Sequence, residues 1–432
     1  MEPERFTGDA EHPEAVDRGR DPWPSKEVRY RMKIGFDVSQ TGSGKAGCGF
    51  FADGLIRSLA ETDSRNQYFL YPAVGDHFWD PECATSTFQS NRPNFAQVPA
   101  GHDFEECKAF WNSPSAEFET LLRAPDIFHA NNFYCPSGFA HAKAIYTLYD
   151  LSFAQNPGWT TEANRLGCFH GVYTASTRAD AMVAISKATR DDFVAMFPHY
   201  PAERIRVIYP GSRFEERTGV ERPARFSNLP SRGFWLTVGT IEPRKNQQQL
   251  VDAHARLQSQ TGRGMPLVLA GGRGWLMDDF ERKLRDANIG PDQVMLTGYV
   301  DDAELRWLYE NCFCFVFPSL YEGFGLPVLE AMKLGAPVIC SNTSSLPEIV
   351  GAAGIQVAPE TKALADAMLR MLEDDGFRES WTAAATERAG MFSWKRAARE
   401  VLELYDEALA LPPLRSIPYQ TMSHSTTAVA AT

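Results

Sequence analysis

Two glutamates, Glu322 and Glu330, flank a turn in the second half of the chain, with seven residues between them. The apolar run Cys314–Phe317 ahead of them is typical of a buried parallel strand. Gly323 and Gly325 lie in the loop after this run, which leads into a helix. The pattern therefore indicates a strand, a turn and a helix that together carry two carboxylates.

The predicted helix can bind phosphate at its start and ribose about one turn further on. Pro327 fits the first turn because its missing N–H costs little there, and free N–H groups at the positive end of the helix dipole attract phosphate. With a rise of ~1.5 Å per residue, Glu330 lies ~6 Å along the axis from Leu326, so its carboxylate can accept both hydroxyls of a ribose. Glu322 is better placed to meet a sugar beyond the phosphates. A glutamate near a helix start is also simply favourable dipole chemistry, so each residue alone is ambiguous.

The whole string at 322–330, Glu-Gly-Phe-Gly-Leu-Pro-Val-Leu-Glu, resembles the signature of the large retaining glycosyltransferase family 4. The resemblance implies an α/β chain of GT-B fold, in which two Rossmann-like, doubly wound parallel-sheet domains face a cleft and a C-terminal helix crosses back to the first domain. It also implies a catalytic role for Glu322 at the donor sugar. The remaining residues of the turn that would bind the nucleotide-sugar donor are Gly323, Phe324, Gly325, Leu326 and Glu330.

A second strand end, at 236–246, contributes positive charge. Gly239 ends the predicted strand, and Arg244 and Lys245 stand where the next helix begins. Negative charge builds on a diphosphate leaving group as the glycosidic bond breaks, and these cations can neutralise it without a metal. The string is similar to the family's phosphate-binding loop, which implies a catalytic, phosphate-binding role for Lys245. Many members carry an arginine directly after the glycine, where this chain has Thr240, and Arg244 is the candidate to compensate.

Residues 297–305 are similar to the family's base-contacting loop. This resemblance implies that the backbone around Tyr299 and Val300 binds the base of the donor and that Leu305 packs near it. The following helix has an aspartate at its start, and we expect Asp302 to act as its N-cap.

The first half carries a glycine loop and a strand that also match the family. The loop containing Gly47 and Gly49 resembles the loop that lies over the donor diphosphate and the acceptor cleft. Residues 144–152 resemble a strand that usually ends in His-Asp, and here Tyr149 replaces the histidine while Asp150 keeps its place. We expect both near the reacting sugar, although a tyrosine cannot take up a proton near neutral pH. His129 also ends a strand, and either a cleft-facing role or a satisfied structural role fits it.

Residues 42–47 formally fit the G-x-G-x-x-G dinucleotide fingerprint, which alone is weak evidence. The second strand ends at Tyr71 and Pro72 with no acidic residue to hold a ribose. Ser39 and Ala46 occupy the positions at which a phosphate-binding P-loop requires glycine and a hydroxyl residue. A nicotinamide-dependent oxidoreductase, a sugar-nucleotide 2-epimerase and a non-catalytic sugar-nucleotide-binding protein remain the alternatives.

The chain has 432 residues, 44% of them hydrophobic and 23% charged, which is enough for two domains with full cores. Its formal net charge of −12 argues against nucleic acid as a main partner. No apolar run approaches the ~20 residues that span a bilayer, and the acidic, polar residues 1–21 do not predict a signal peptide. Eight scattered cysteines without a C-x-x-C pair indicate free thiols of a cytoplasmic protein.

Strand and helix signals alternate twice along the chain, which predicts two doubly wound parallel sheets. The predicted organisation consists of a disordered leader, an acceptor-side domain, a linker, a nucleotide-sugar-binding domain, a crossover helix with Ser393 as its N-cap, and a polar tail. Their bounds are 1–30, 31–215, 216–232, 233–392, 393–411 and 412–432.

The resemblance implies an enzyme that transfers a hexose from a nucleotide diphosphate sugar to a glycan or lipid-linked acceptor. The motifs are most similar to those of bacterial mannosyltransferases of surface-polysaccharide biosynthesis, which favours mannose from GDP-mannose over UDP- or ADP-linked donors. The Asp-x-Asp of metal-dependent sugar transferases is absent from the sequence, so we expect no required metal or other cofactor. Peripheral contact with the inner face of a membrane fits a lipid-linked acceptor.

Overall fold

The computed structural model describes residues 30–75, 86–98, 104–215, 218–274, 277–287 and 289–414. The predicted leader, apart from its last residue, and the predicted tail from residue 415 onward lie outside the described residues. Within the described ranges, no helix has the length and apolar character needed to cross a bilayer.

The first half of the chain forms a seven-stranded parallel sheet in the order β3-β2-β1-β4-β5-β6-β7. Alternate residues of one strand enter two different cores, with Tyr68 and Leu70 on one face and Phe69 and Tyr71 on the other. This double burial explains why the strands are continuous apolar runs rather than alternating ones. The strands are β1 (Lys33–Asp37), β2 (Gln67–Tyr71), β3 (Phe95–Gln97), β4 (Ile127–Ala130), β5 (Lys143–Leu148), β6 (Ala181–Ala184) and β7 (Ile205–Val207). The helices are Gly47–Thr62, Phe104–Asn112, Phe118–Leu121, Ser152–Gln155, Glu162–Arg178 and Lys187–Met196.

The second half forms a six-stranded parallel sheet in the order β10-β9-β8-β11-β12-β13. Its central strand is also buried on both faces, because Phe315 and Phe317 enter one core while Cys314 and Val316 enter another. The strands are β8 (Trp235–Val238), β9 (Leu267–Ala270), β10 (Val294–Gly298), β11 (Cys314–Phe317), β12 (Val338–Ser341) and β13 (Ile355–Val357). The helices are Gln247–Thr261, Met277–Asp286, Asp302–Asn311, Leu326–Lys333, Leu346–Val350, Thr361–Glu373 and Asp375–Ala389.

A final helix, Trp394–Ala410, returns to the first half and packs against Gly47–Thr62. Its Tyr405 hydroxyl lies 2.6 Å from Nδ1 of His129 in the first sheet. Ser393 occupies the N-cap position, as predicted, but its side chain makes no capping hydrogen bond. The predicted pair of doubly wound parallel sheets with a crossover helix is confirmed.

The segment predicted as a linker is packed in its described part. The ring of Phe226 is fully buried and stacks on Trp307 at a centroid distance of 5.8 Å, and Leu229 is buried too. Charged residues, proline and serine in this segment are typical of a linker, but its two large apolar side chains, Phe226 and Leu229, are covered by the second half. The predicted domain boundaries themselves stay a prediction.

Candidate functional site

The two halves touch at the turn between β11 and the helix Leu326–Lys333, which we call the signature turn (residues 318–325). A Cβ built on Gly323 would lie 2.0 Å from the carbonyl oxygen of Tyr149 at the end of β5, so only glycine permits this approach. The hydroxyl of Thr189 lies 3.0 Å from the carbonyl oxygen of Gly323 and 3.2 Å from that of Tyr149. The carboxyl end of the first sheet therefore lies directly against the signature turn.

The signature turn is shaped to present backbone N–H groups at a helix start. Gly325 adopts a φ of +105°, a left-handed conformation that disfavours other residues, and it is the N-cap of the helix. Ser345 Oγ lies 2.9 and 2.7 Å from the carbonyl oxygens of Glu322 and Phe324 and holds the turn in place. In the described part of the chain, the N–H groups of Phe324 and Gly325 have no protein acceptor. This arrangement can bind an anion.

Glu322 lies at the centre of a chain of buried charges. Its Oε1 is 2.6 Å from Nζ of Lys245, its Oε2 is 3.2 Å from Nη1 of Arg244, and Arg244 Nη2 is 2.6 Å from Glu242. Burial would raise the pKa of Glu322, but Lys245 and Arg244 outweigh it, so the pKa is lowered. The carboxylate is therefore ionised and can accept hydrogen bonds from sugar hydroxyls.

Arg244 connects the predicted phosphate loop to the signature turn. Its Nη1 donates to the carbonyl oxygen of Tyr321 at 2.8 Å. Burial opposes its charge, yet Glu322 and Glu242 raise the pKa of Arg244, so it stays cationic. Thr240 is exposed, and its carbonyl accepts a hydrogen bond from Gln247.

Gly239 follows β8 in a backbone conformation that disfavours other residues, and the stem of Lys245 lies beside it. A Cβ on Gly239 would lie 3.6 Å from Cε of Lys245, and the φ of Gly239 is +142°. Nζ of Lys245 also lies 5.1 Å from the centre of the Phe317 ring. The structure thus brings together the predicted residues Gly239, Arg244, Lys245 and Glu322.

Glu330 is buried on the helix Leu326–Lys333, which we call the signature helix, and its carboxylate contacts Arg213, to which no motif pointed. Arg213 Nε donates to Oε1 of Glu330 at 2.7 Å, and its Nη2 lies 3.3 Å from Oε2. The hydroxyl of Tyr309 donates to the same Oε2 at 3.1 Å. Burial would lower the pKa of Arg213, but Glu330 raises it, so the residue remains a cation. Arg213 lies in the segment joining the two halves, where no motif marks it.

The predicted base loop lies at the end of β10. Tyr299 is 76% exposed, whereas Val300 and Leu305 are buried. The predicted cap of the next helix is wrong by one residue. Asp301, not Asp302, accepts the N–H of Glu304 at 2.8 Å, and the Glu304 side chain accepts the N–H of Asp301 in return. This capping box leaves the carboxylate of Asp302 to pair with Arg213 at 2.9 Å.

The first half contributes backbone and one carboxylate to the cleft. Tyr149 is buried and its hydroxyl donates to the carbonyl oxygen of Asn131 at 2.9 Å, so the side chain enters the first core while the backbone faces Gly323. Burial raises the pKa of Tyr149. Asp150 accepts hydrogen bonds from the N–H and hydroxyl of Ser152 at 3.0 and 2.8 Å.

The glycine loop and His129 both have structural explanations. Gly47 begins the first helix, and a Cβ on Gly49 would lie 2.1 Å from the carbonyl oxygen of Gln40. His129 is fully buried, and its Nε2 lies 2.8 Å from the hydroxyl of Thr147. With Tyr405 on its other nitrogen, His129 is a satisfied core residue rather than a cleft residue.

A cavity of ≈ 170 Å³ opens between the halves beside Arg244. Its wall includes Asp150 and two residues that no motif pointed to, Trp159 and Asn164. The other lining residues are Cys48, Phe133, Ser152, Phe153, Thr160, Cys168 and Glu242.

Among the described residues, no group of three or more His, Cys, Asp and Glu side chains is placed to hold a metal ion. The seven described cysteines are free thiols.

Comparison with known proteins gives the family. The profile described as "Glycosyl transferases group 1" matches residues 224–388, and the one described as "Glycosyltransferase Family 4" matches residues 69–215. O-antigen chain mannosyltransferase B of Escherichia coli is 34% identical over 284 residues, which cover 65% of this chain and 74% of that protein.

Solved structures share the fold at low sequence identity. Sucrose-phosphate synthase of Thermosynechococcus elongatus superposes with a TM-score of 0.65 at 22% identity, covering 88% of this chain and 100% of that one. HepE of Anabaena, solved in complex with UDP and glucose, gives 0.63 at 21% identity, covering 87% of this chain and 100% of that one. These structures show the GT-B fold, and the matched profiles with the E. coli relative show that the chain belongs to glycosyltransferase family 4 and is a glycosyltransferase.

Proposed function

We propose that this glycosyltransferase moves mannose from GDP-mannose, with retention at the anomeric carbon, to a hydroxyl of a glycan or lipid-linked acceptor in surface-polysaccharide biosynthesis. The observation that carries the proposal is the buried chain Lys245, Glu322, Arg244 beside the unoccupied N–H groups of Phe324 and Gly325. The similarity to an E. coli O-antigen mannosyltransferase supports mannose as the sugar.

The charges suit a diphosphate leaving group. As the bond between the anomeric carbon and the phosphate oxygen breaks, the new negative charge lies where Lys245, Arg244 and the helix N–H groups converge. The acceptor oxygen then bonds to the anomeric carbon on the same face, and its proton passes to the departing phosphate. No protein nucleophile is needed in this scheme. Glu322 accepts a hydrogen bond from a donor-sugar hydroxyl, and Glu330 accepts those of the ribose.

The cavity beside Arg244 is the proposed place of the acceptor hydroxyl. Asp150 lines it and is held by Ser152, so its carboxylate is fixed in direction. Trp159 offers an aromatic face of the kind on which a sugar ring packs. Tyr149 contributes through its backbone, because its side chain is buried in the first core.

We place the reaction at the inner face of the cytoplasmic membrane. The helix Glu162–Arg178, which also lines the cavity through Asn164 and Cys168, exposes Leu166, Phe169 and Tyr173 by 53, 41 and 50%. Their spacing of three and four residues puts them on one face of the helix. An apolar face next to the acceptor cavity suits an acceptor that is carried on a lipid.

Calorimetric titration with GDP, UDP, ADP and NAD, without metal, tests the donor. Tight binding of GDP supports the proposal. Tight binding of UDP instead would mean that the donor is a UDP-sugar, such as the one bound to HepE. Binding of NAD alone would refute the proposal. Transfer from GDP-mannose is then followed by NMR of the product's anomeric proton, where an inverted product would contradict retention. Lys245→Ala should lose transfer, and Lys333→Ala, at the far end of the signature helix, is the matched control.

A further inference from the structure

Arg213 contacts Glu330, the residue to which we assign ribose binding, although the two lie 117 residues apart in the chain. Its guanidinium contacts Glu330 through two nitrogens, and its Nη1 lies 2.9 Å from Asp302. About three-quarters of the side chain is buried, since only 23% of it is exposed. The guanidinium carbon lies 4.2 Å from the centre of the Phe50 ring and 5.3 Å from that of Phe214.

The number of acceptor sites on Glu330 limits how a ribose can bind. A carboxylate offers about four lone-pair sites, two on each oxygen. Oε1 accepts from Arg213 Nε, while Oε2 accepts from Tyr309 and from the distant Nη2 of Arg213. One site therefore remains on Oε1 and none on Oε2. Because the two hydroxyls of a ribose need two sites and only one is left, the 3.3 Å contact from Nη2 must open when both hydroxyls bind.

The short contact from Nε can remain when the long one opens. Arg213 has little room to leave, because Phe50 from the first half and Phe214 lie against its guanidinium. A buried carboxylate without a nearby cation would be costly to keep ionised. Arg213 is therefore suited to stay beside Glu330 as its counter-charge in the loaded site.

We propose that Arg213 is a positioning residue for donor recognition, which holds the carboxylate of Glu330 aimed at the ribose hydroxyls of a nucleoside diphosphate. This inference rests on the proposed function, because it assumes that Glu330 binds the donor ribose. Phe50 lies at the start of the helix Gly47–Thr62 in the first half, so recognition of the ribose also depends on how closely the two halves approach.

The test compares nucleotides that differ at one ribose hydroxyl. Affinities of GDP and 2′-deoxy-GDP, and of UDP and 2′-deoxy-UDP, are measured by calorimetry for the full chain and for Arg213→Met. A hydrogen bond to a charged group corresponds to about tenfold in affinity or more, so the parent should prefer the ribonucleotide by at least that factor. Arg213→Met should reduce the preference to within about threefold.

Three further variants separate positioning from a structural role. Glu330→Gln should lose the preference to the same extent, and Arg213→Met combined with Glu330→Gln should lose no more than either alone. Arg213→Lys, which retains the charge, should restore part of the preference. Arg222→Met removes another arginine of the same segment, which lies over Trp307 and away from Glu330, and should behave as the parent.

The outcomes distinguish this inference from the proposed function. If the parent binds none of these nucleotides, the proposed function itself fails. If the parent prefers the ribonucleotide and Arg213→Met keeps that preference, only the role of Arg213 is refuted. Tighter binding of both nucleotides to Arg213→Met would also refute it, since the guanidinium would then be an obstacle in the site.

Discussion

The free energy of unfolding of this protein should depend on pH, because His129 is buried. His129 is fully buried, and this burial lowers its pKa from 6.5 to about 3. Between pH 6.5 and pH 3 the unfolded chain therefore binds one more proton at this site than the folded protein does. The contribution of His129 is complete above pH 6.5 and falls by about 1.4 kcal/mol per pH unit on acidification, or about 5 kcal/mol over the interval.

Asp37 on the neighbouring strand acts in the opposite direction. Phe36 of β1 pairs with His129 of β4, so the two titrating groups lie in adjacent strands. Burial raises the pKa of Asp37 from 3.8 to about 6, although hydrogen bonds from Ser39 and Asn131 partly oppose it. Its contribution is present below pH 3.8 and is lost as the pH rises through 6, by about 3 kcal/mol. The two dependences therefore cancel between about pH 4 and pH 6.

Replacing His129 by asparagine removes its contribution to the pH dependence of the unfolding free energy and leaves that of Asp37. Relative to the parent, the free energy of unfolding of His129→Asn should fall by about 1.4 kcal/mol for each unit that the pH rises from 4 to 6. Lost packing adds an offset that is the same at every pH. Urea unfolding at pH 4, 5, 6 and 7 measures this difference, with the exposed His170→Asn as the matched control. A difference between variant and parent that stays constant with pH would refute the reasoning.

Three predictions concern the cleft. Gly323→Ala should lower the rate of transfer, because the new Cβ would lie 2.0 Å from the carbonyl oxygen of Tyr149. Gly264→Ala is the control, since a Cβ there has nothing within 4 Å, and equal rates for the two variants would contradict the predicted effect of this contact. Lys245→Ala should lower turnover more than thermal stability, since Arg244 still pairs with Glu322, and a normal rate with an unchanged melt would argue against its role. Transfer should continue in EDTA because protein cations supply the positive charge, and a loss that magnesium restores would count against this.

Apolar strands of both sheets could be predicted from the sequence, but the short edge strand β3 could not. β11 has the predicted bounds Cys314–Phe317, because it is an apolar run that ends at a proline. β3 and the helix Phe104–Asn112 were not predicted. β3 has only three residues, of which only Phe95 is buried, so it carries too little of a pattern to be recognised.

Some features of the candidate site depend on residues that are close in sequence, and others depend on residues that are distant. The spacing of Glu322, Gly325 and Glu330 determines where they lie on the signature turn and helix, because a strand, a turn and a helix hold near neighbours at set positions. The phosphate-loop motif predicts a phosphate-binding role for Lys245, and the structure places this residue beside the turn. It could not show that Tyr149 turns its side chain into the first core, since that direction depends on the packing around β5.

The partners of the two glutamates were decided by tertiary structure alone. Glu330 pairs with Arg213, which is 117 residues away in the chain, and Glu322 pairs with Lys245 across 77 residues. Residue types and spacing determine that this protein has carboxylates, cations and a helix start suited to a nucleotide-sugar. Which cation meets which carboxylate depends on how two separate sheets close on each other, and no local pattern of the sequence encodes that distance.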